Sequence, residues 1–330
     1  MIYYLPLEHI ERRYTTLLDT QLMREFKKQR KKFVKIEGVN LTNKIETGAF
    51  LDSEGTNFYK FSQLQEVCKL FKNSKIKDGD VFFVSDLWFP GIEAIKYMAY
   101  FRGIKVKIKG LLHAGSFTET DFVRGIEDWA KWIEIGWFHS FDKIFLGSNH
   151  IKQELIEKKR IIDFKKLEVT GLPFITKDLY KQVKKVSWNK KENIVIFAGR
   201  LDDEKQPWYF NELEKQFNIR YPEKKVKFVK TLEMDLSKKE YLKLLSKSKV
   251  LFSSALQENF GYSVLEASAY NCNLLLPNRL VYPEFYSKEC LYANLGQAVK
   301  MLYKKLNKCE KSVRFALKNN DNVKKIVKMV

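Results

Sequence analysis

Two short stretches of this chain carry residue types and spacings suited to chemistry. The first, Ile194-Val-Ile-Phe-Ala-Gly-Arg200-Leu-Asp-Asp-Glu-Lys205-Gln-Pro207, is an apolar run ending in glycine, then an arginine, then a lysine five positions later. Ligands of open α/β sheets bind at the carboxyl ends of strands. There Gly199 lets a ligand approach the backbone, and Arg200 and Lys205 can together neutralise one diphosphate without a metal. The plain alternative is a solvated turn with two surface cations. The second stretch, Glu258-Asn-Phe-Gly261-Tyr-Ser-Val-Leu-Glu266-Ala, sets two carboxylates eight residues apart around a Phe-Gly turn. A helix starting near Gly261 would offer free amides and its positive dipole end to phosphate. Carboxylates accept several hydrogen bonds, so Glu258 suits sugar hydroxyls and Glu266 ribose hydroxyls. A capped helix bearing a solvent-facing acid would also leave this pattern.

The elements needed to position these residues are present. Strand-like runs at Ile2 to Leu5, Val81 to Ser85, Val106 to Ile108, Lys143 to Gly147 and Leu167 to Thr170 alternate with helical stretches, among them Tyr14 to Lys32 and Gly91 to Phe101. This is the pattern of a parallel sheet with crossover helices. Thr176 to Glu192, polar and lysine-rich, reads as a linker. The alternation then restarts, with strands at Ile194 to Ala198, Val226 to Val229, Val250 to Ser253 and Leu274 to Leu276. We therefore expect an N-terminal Rossmann-like domain over 1–175, a second α/β domain over 176–312, and a helical tail over 313–330.

Length and composition agree: 330 residues, 45% hydrophobic and 14% aromatic, suffice for two cores. No run approaches the 18 or so apolar residues of a membrane span, and charged residues follow the first apolar run too soon for a signal peptide. Four cysteines without CxxC pairing argue against a zinc site or a disulfide framework, so a reduced cytoplasm is expected. The net charge of +20 points to anionic partners, with a lysine-rich compositional bias as the plain alternative. Residues 1–175 carry 29 basic against 23 acidic side chains, and residues 176–330 carry 31 against 17.

Taken jointly, the two motifs resemble the GT-B glycosyltransferases, in particular the retaining family-4 type with its Gly-Arg-Leu…Lys and Glu-x7-Glu signatures. The resemblance runs over roughly residues 140–300, from Gly147-Ser148-Asn149, and includes Tyr241 to Lys249, Ala267-Ser-Ala-Tyr270 and Pro283-Glu284. It implies two Rossmann-like parallel-sheet domains facing across a cleft. It further implies Arg200 and Lys205 on the donor diphosphate, Glu258 on the transferred sugar, Phe260 and Gly261 on sugar and phosphate through their backbone, and Glu266 on the ribose. The co-substrate would be a nucleotide-sugar, with UDP expected as its nucleotide, and neither metal nor further cofactor is expected. Asp202-Asp203 reads as a polar continuation of the phosphate loop rather than a metal motif. On this reading Arg200, Lys205 and helix-end amides stabilise the leaving diphosphate. A donor phosphate oxygen takes the acceptor proton while Glu258 and His113 position the sugar.

The first half departs from the family: Leu5-Pro-Leu-Glu-His-Ile-Glu-Arg-Arg-Tyr-Thr replaces the usual glycine-rich loop, making Arg12 and Arg13 candidates for supplementary phosphate contacts. In Leu111-Leu-His-Ala-Gly-Ser-Phe117, His113 follows a strand, where relatives often keep a histidine near the reacting sugar; a structural histidine is the alternative. Asp86-Leu-Trp-Phe-Pro-Gly91 also ends a strand, so Asp86 and Trp88 are acceptor-side candidates, helix entry before Pro90 being the other explanation of Asp86.

For the acceptor, Tyr4 to Glu8, Arg13-Tyr-Thr15, Asp86 to Gly91 and His113 to Ser116 resemble a bacteriophage branch that glycosylates hydroxymethylated pyrimidines in DNA, which would act in the host cytoplasm. Basic runs at Lys27 to Lys32, Lys158 to Lys166 and Lys181 to Lys191 can contact phosphates. Trp88, Phe117, Trp129, Trp132 and Trp137 can stack on an extruded base, although Trp129 and Trp132 beside Ile126 and Ile133 read more simply as the packed face of a helix. The alternatives are a polysaccharide or glycolipid transferase docking on an anionic membrane surface, and an inactive nucleic-acid-binding module. Nothing in the sequence indicates an oligomeric state.

Overall fold

The computed structural model describes residues 1–9, 14–41, 53–161, 163–310 and 321–330. The chain divides into two compact units, Met1–Phe174 with Asn322–Val330, and Ile175–Asp321. Both follow one rule: a strand, a helix that carries the chain back, and another strand in parallel.

In the first unit β1 (Ile2–Leu5), α1 (Thr15–Lys28), β2 (Phe33–Lys35), α2 (Ser53–Lys72), β3 (Val81–Val84), α3 (Ala94–Phe101), β4 (Lys107–Leu112), α4 (Glu127–Ser140), β5 (Lys143–Leu146), α5 (Asn149–Glu157) and β6 (Leu167–Val169) follow one another. Among the described residues the strands form a six-stranded sheet in the order β2-β1-β3-β4-β5-β6, every pair parallel. Phe82, Phe83 and Val84 are wholly buried, as a sheet covered on both faces demands. From β1 the chain steps outward to β2, then returns past β1 to β3, so successive crossovers diverge at the carboxyl ends of β1 and β3.

The second unit contains α6 (Thr176–Gln182), β7 (Glu192–Phe197), α7 (Pro207–Arg220), β8 (Lys227–Lys230), α8 (Lys238–Lys247), β9 (Ser248–Phe252), α9 (Tyr262–Ala269), β10 (Asn273–Pro277), α10 (Tyr282–Phe285), β11 (Leu291–Tyr292) and α11 (Leu295–Asn307). Its described strands make a parallel five-stranded sheet, β11-β10-β9-β7-β8, with the divergence between β7 and β9. Phe197, Phe210, Phe252 and Tyr292 form the centre of the core, with Phe252 and Tyr292 stacked at 5.5 Å.

Three expectations need correction. The stretch from Thr176 to Glu192 is no free linker: it holds α6, whose Leu179 is buried, and the Tyr270 hydroxyl donates to the carbonyls of Leu179 (2.9 Å) and of Val183 just past the helix (3.1 Å). In α4 the buried face is Ala130, Glu134, Trp137 and Phe138, leaving Trp129 and Trp132 55% and 67% exposed. The helix is turned this way because Glu134 is drawn inward by polar partners described below. Two cations of the supposed phosphate-binding runs are internal: Lys191 donates to the carbonyls of Ser246 and Ser248, each at 2.8 Å, and Arg160 pairs with Glu134.

The final helix α12 (Asn322–Met329) belongs to the first unit. It packs against α1 with Val323, Ile326 and Val327 buried, Asn322 Nδ2 donates to the Leu172 carbonyl at 3.2 Å, and Lys109 Nζ donates to the Met329 carbonyl. Fully burying an aliphatic side chain contributes about 1.5–3 kcal/mol. Deleting 322–330 is therefore expected to lower the unfolding free energy by several kcal/mol in chemical denaturation; an unchanged midpoint would show that α12 adds nothing to this unit.

Candidate functional site

In the second unit the segments leaving β7 and β9 enclose a cavity of about 210 Å³ where the crossovers diverge. Gly199, Arg200 and Lys205 line it from the β7 side, Ser253 and Glu258 from the β9 side, and Tyr262 and Ser263 from the first turn of α9. The two sequence motifs, more than fifty residues apart, meet here. Lys205 Nζ donates to the Gln257 carbonyl and lies 3.6 Å from Glu258 Oε2. Glu258 Oε1 accepts the Gly261 amide at 2.9 Å, so the backbone aims this carboxylate. Gly261 has φ +76°, a left-handed turn that favours glycine, and α9 begins just after it. The α9 amides at the cavity edge add a positive dipole end. A Cβ on Gly199 would lie 3.0 Å from the Phe197 ring and 3.3 Å from Lys205 Cβ, so glycine keeps Lys205 close to the strand end.

Two residues of this site had no signal in the sequence. Glu204, 8% exposed, receives Arg200 and lies 3.7 Å from Lys205, setting both cations against one buried carboxylate. Arg279 staples the two loops, donating to the Ala255 and Ser254 carbonyls at 2.9 and 2.7 Å and to Gln206 Oε1 at 3.0 Å. Both act through contacts distant in sequence or internal to a loop, which periodicity does not report. Phe260 is buried, packed edge-on against Phe285, and like Gly261 is not among the residues that line the cavity. Glu266 is placed elsewhere: it is 5% exposed, paired with Lys238 of α8 and beside the Tyr241 hydroxyl, and does not line the cavity.

The first unit has a larger cavity, about 330 Å³, at the carboxyl ends of β1, β3 and β4. It brings together Asp86, Trp88 and His113 of the predicted set; Arg12 and Arg13 lie outside the described residues. Lys60 Nζ, reaching in from α2, bonds Asp86 Oδ2 at 3.2 Å and the Trp88 carbonyl. The indole Nε1–H of Trp88 donates to Glu134 Oε1 at 3.0 Å, and the same carboxylate takes the Ser116 amide (2.6 Å) and hydroxyl (2.7 Å) and Arg160 Nε (3.2 Å). That network explains the inward turn of α4. Lys60 and Glu134 escaped the sequence reading because polar residues on buried helix faces look like solvent faces. Among the described residues no group of His, Cys, Asp and Glu is arranged to hold a metal ion, and no helix is long and apolar enough to cross a membrane.

His113 Nε2 lies 2.8 Å from the Ser85 carbonyl, which can only accept, so the proton sits on Nε2, and Nδ1 faces the Tyr14 hydroxyl at 3.3 Å. Burial lowers the pKa of the imidazole, opposed by the Asp86 charge and the Ser85 hydrogen bond. The unfolded chain then binds the proton more readily, so this stability is complete above the ordinary value of about 6.5 and is lost as pH falls through the lower folded value. Ring ¹⁵N shifts should report a neutral Nε2–H tautomer for His113 at pH 6.5; half-protonation at that pH would contradict the placement.

No known protein-family profile matches this chain. A stretch of 68 residues, 21% of the chain, is 44% identical to part of the tRNA-queuosine alpha-mannosyltransferase of Drosophila melanogaster and spans only 18% of that protein. Among solved structures, the UDP-forming alpha,alpha-trehalose-phosphate synthase of Burkholderia xenovorans matches with a TM-score of 0.62, 12% identity, and 99% of this chain against 95% of that one. The UDP-GlcNAc 2-epimerase of Neisseria meningitidis, bound to UDP-GlcNAc, matches with a TM-score of 0.57, 14% identity, and coverage of 100% and 99%. These are likenesses of fold: two Rossmann-like parallel-sheet domains, the GT-B architecture expected from the motifs. A synthase and an epimerase share it, so the reaction has to be argued from the site.

Hydrogen bonds to charged groups contribute about 1.5–3 kcal/mol. If a nucleoside diphosphate such as UDP binds in this cavity, Lys205→Ala is expected to weaken it by about 10- to 100-fold in calorimetric titration, and an unchanged affinity would show that the diphosphate does not meet Lys205.

Proposed function

We propose that this chain is a retaining glycosyltransferase that moves a sugar from a UDP-sugar to a hydroxyl on a modified base of a nucleic acid. The observation that carries the reading is the cavity where β7 and β9 diverge, which gathers Arg200, Lys205, Glu258 and the first turn of α9. As the anomeric C–O bond breaks, the diphosphate leaves with the electron pair, and the two cations and the helix-end amides stabilise that charge. Glu258, aimed by the Gly261 amide, holds the sugar. The acceptor oxygen bonds to the anomeric carbon on the face just vacated, and its proton passes to a donor phosphate oxygen, so no protein base and no metal are required.

The partial match to a tRNA-queuosine alpha-mannosyltransferase puts a modified tRNA nucleoside first among acceptors. A second reading, hydroxymethylated pyrimidines in DNA, is favoured by the Tyr4 to Glu8 and Asp86 to Gly91 sequence pattern. The charge of +20 suits either polyanion, and the reaction would run in the cytoplasm, the host's for a phage enzyme.

The test is UDP release from a panel of UDP-sugars in the presence of queuosine-containing tRNA, duplex DNA carrying 5-hydroxymethyl pyrimidines, or anionic vesicles with glycolipid acceptors. We expect release stimulated by one nucleic acid, one added hexose on its base, and an anomer matching the donor. An Arg200→Ala variant should lose about 10²–10³ in turnover. Stimulation by vesicles alone, or an inverted anomer, would overturn the reading.

A further inference from the structure

We propose that the cavity of the first unit is a base pocket in which Glu8 accepts hydrogen bonds from the N–H edge of a neutral or cationic heteroaromatic ring. This deepens the function proposed above and rests on its acceptor being a base.

The cavity lies at the topological switch point of the first sheet, with Leu7 and Glu8 following β1 and Asp86 and Trp88 following β3. That is where an open α/β sheet receives its ligand. Its volume of about 330 Å³ suits a small ring system.

Charge selects the kind of ligand. The described lining residues include three carboxylates, Glu8, Asp86 and Asp121, and one ammonium, Lys60. Lys60 is 3% exposed and already bonded to Asp86 and to the Trp88 carbonyl. Among the described lining residues the carboxylates therefore outnumber the cation, a setting that suits amino and ring N–H donors.

Glu8 shows what is missing. It lines the cavity, is 7% exposed, and its Oε1 accepts the Thr56 hydroxyl at 2.8 Å. Its Oε2 is buried and, among the described residues, has no hydrogen-bond partner. A buried carboxylate oxygen without a donor is costly, and a ligand N–H would remove that cost.

The walls select a flat group. Leu7, Trp88, Pro90 and Val123 supply apolar surface. The Trp88 indole is fixed by its bond to Glu134 and by an edge-on contact with Trp137 at 5.2 Å, so it presents a plane set in advance. A base held here has left its stack, as enzymes acting on bases require.

The experiment titrates the full chain with the free nucleosides queuosine and 5-hydroxymethyl-2′-deoxycytidine, with and without saturating UDP, and with inorganic diphosphate as competitor. At least one nucleoside should bind, unaffected by UDP or diphosphate, and Glu8→Gln should weaken it at least tenfold. Thr56→Val, which removes the hydroxyl that orients Glu8, should give a smaller loss. Both variants should retain the wild-type UDP affinity and unfolding midpoint; a variant that loses either is replaced by Glu8→Asp. Binding of neither nucleoside, equal affinity in Glu8→Gln, or displacement by UDP would overturn the pocket. If nucleic acid is glycosylated while Glu8→Gln keeps the wild-type KM for it, the pocket fails and the glycosyltransferase stands. If a nucleoside binds through Glu8 and no nucleic acid is glycosylated, the pocket stands and the function fails.

Discussion

The right-handedness of the β-α-β crossover governs the chemistry of this protein. A parallel connection of fixed hand puts its helix on one face when the chain moves one way along the sheet and on the other face when it reverses. Wherever the order reverses, neighbouring strands send their carboxyl-end loops apart and a crevice opens. It happens once in each sheet, between β1 and β3 and between β7 and β9, and the two cavities described here sit at those places.

The cavities differ in electrostatic character although they arise from the same geometry. In the second unit Arg200, Lys205 and the start of α9 surround a space bounded by Glu258. Glu204 holds both cations in place from behind. In the first unit the acids outnumber the cations among the described lining residues, and the aromatic plane of Trp88 is held by the buried Glu134 network. One fold thus offers a cationic setting and an acid-rich, aromatic one, according to which side chains its switch points carry.

Net charge is a poor map of such settings. Of the basic residues behind the +20, Lys60, Lys191 and Lys305 are nearly wholly buried and spend their protons inside, Lys191 on the carbonyls of Ser246 and Ser248 and Lys305 on that of Glu289. Burial lowers the pKa of Lys191, the expected direction for an ammonium removed from water. Long flexible cations can serve as internal braces as readily as they can meet a polyanion.

By itself the sequence marked the two parallel-sheet domains and the strands that form their cores, and it singled out Gly199, Arg200, Lys205 and Glu258 one motif at a time, because strand periodicity, glycine and charge spacing are local quantities; only the family resemblance joined the two motifs. It also marked Asp86, Trp88 and His113 as strand-end residues. Only the tertiary structure decided which of these share a cavity, that Glu266 faces Lys238 instead, that Trp129 and Trp132 turn outward, and that the last helix returns to the first unit. It also disclosed Glu8, Lys60, Glu134, Glu204 and Arg279. Each of these is a polar side chain whose role depends on partners distant in sequence or folded back within a loop, and a polar residue in sequence reads the same whether it will face water or a buried partner.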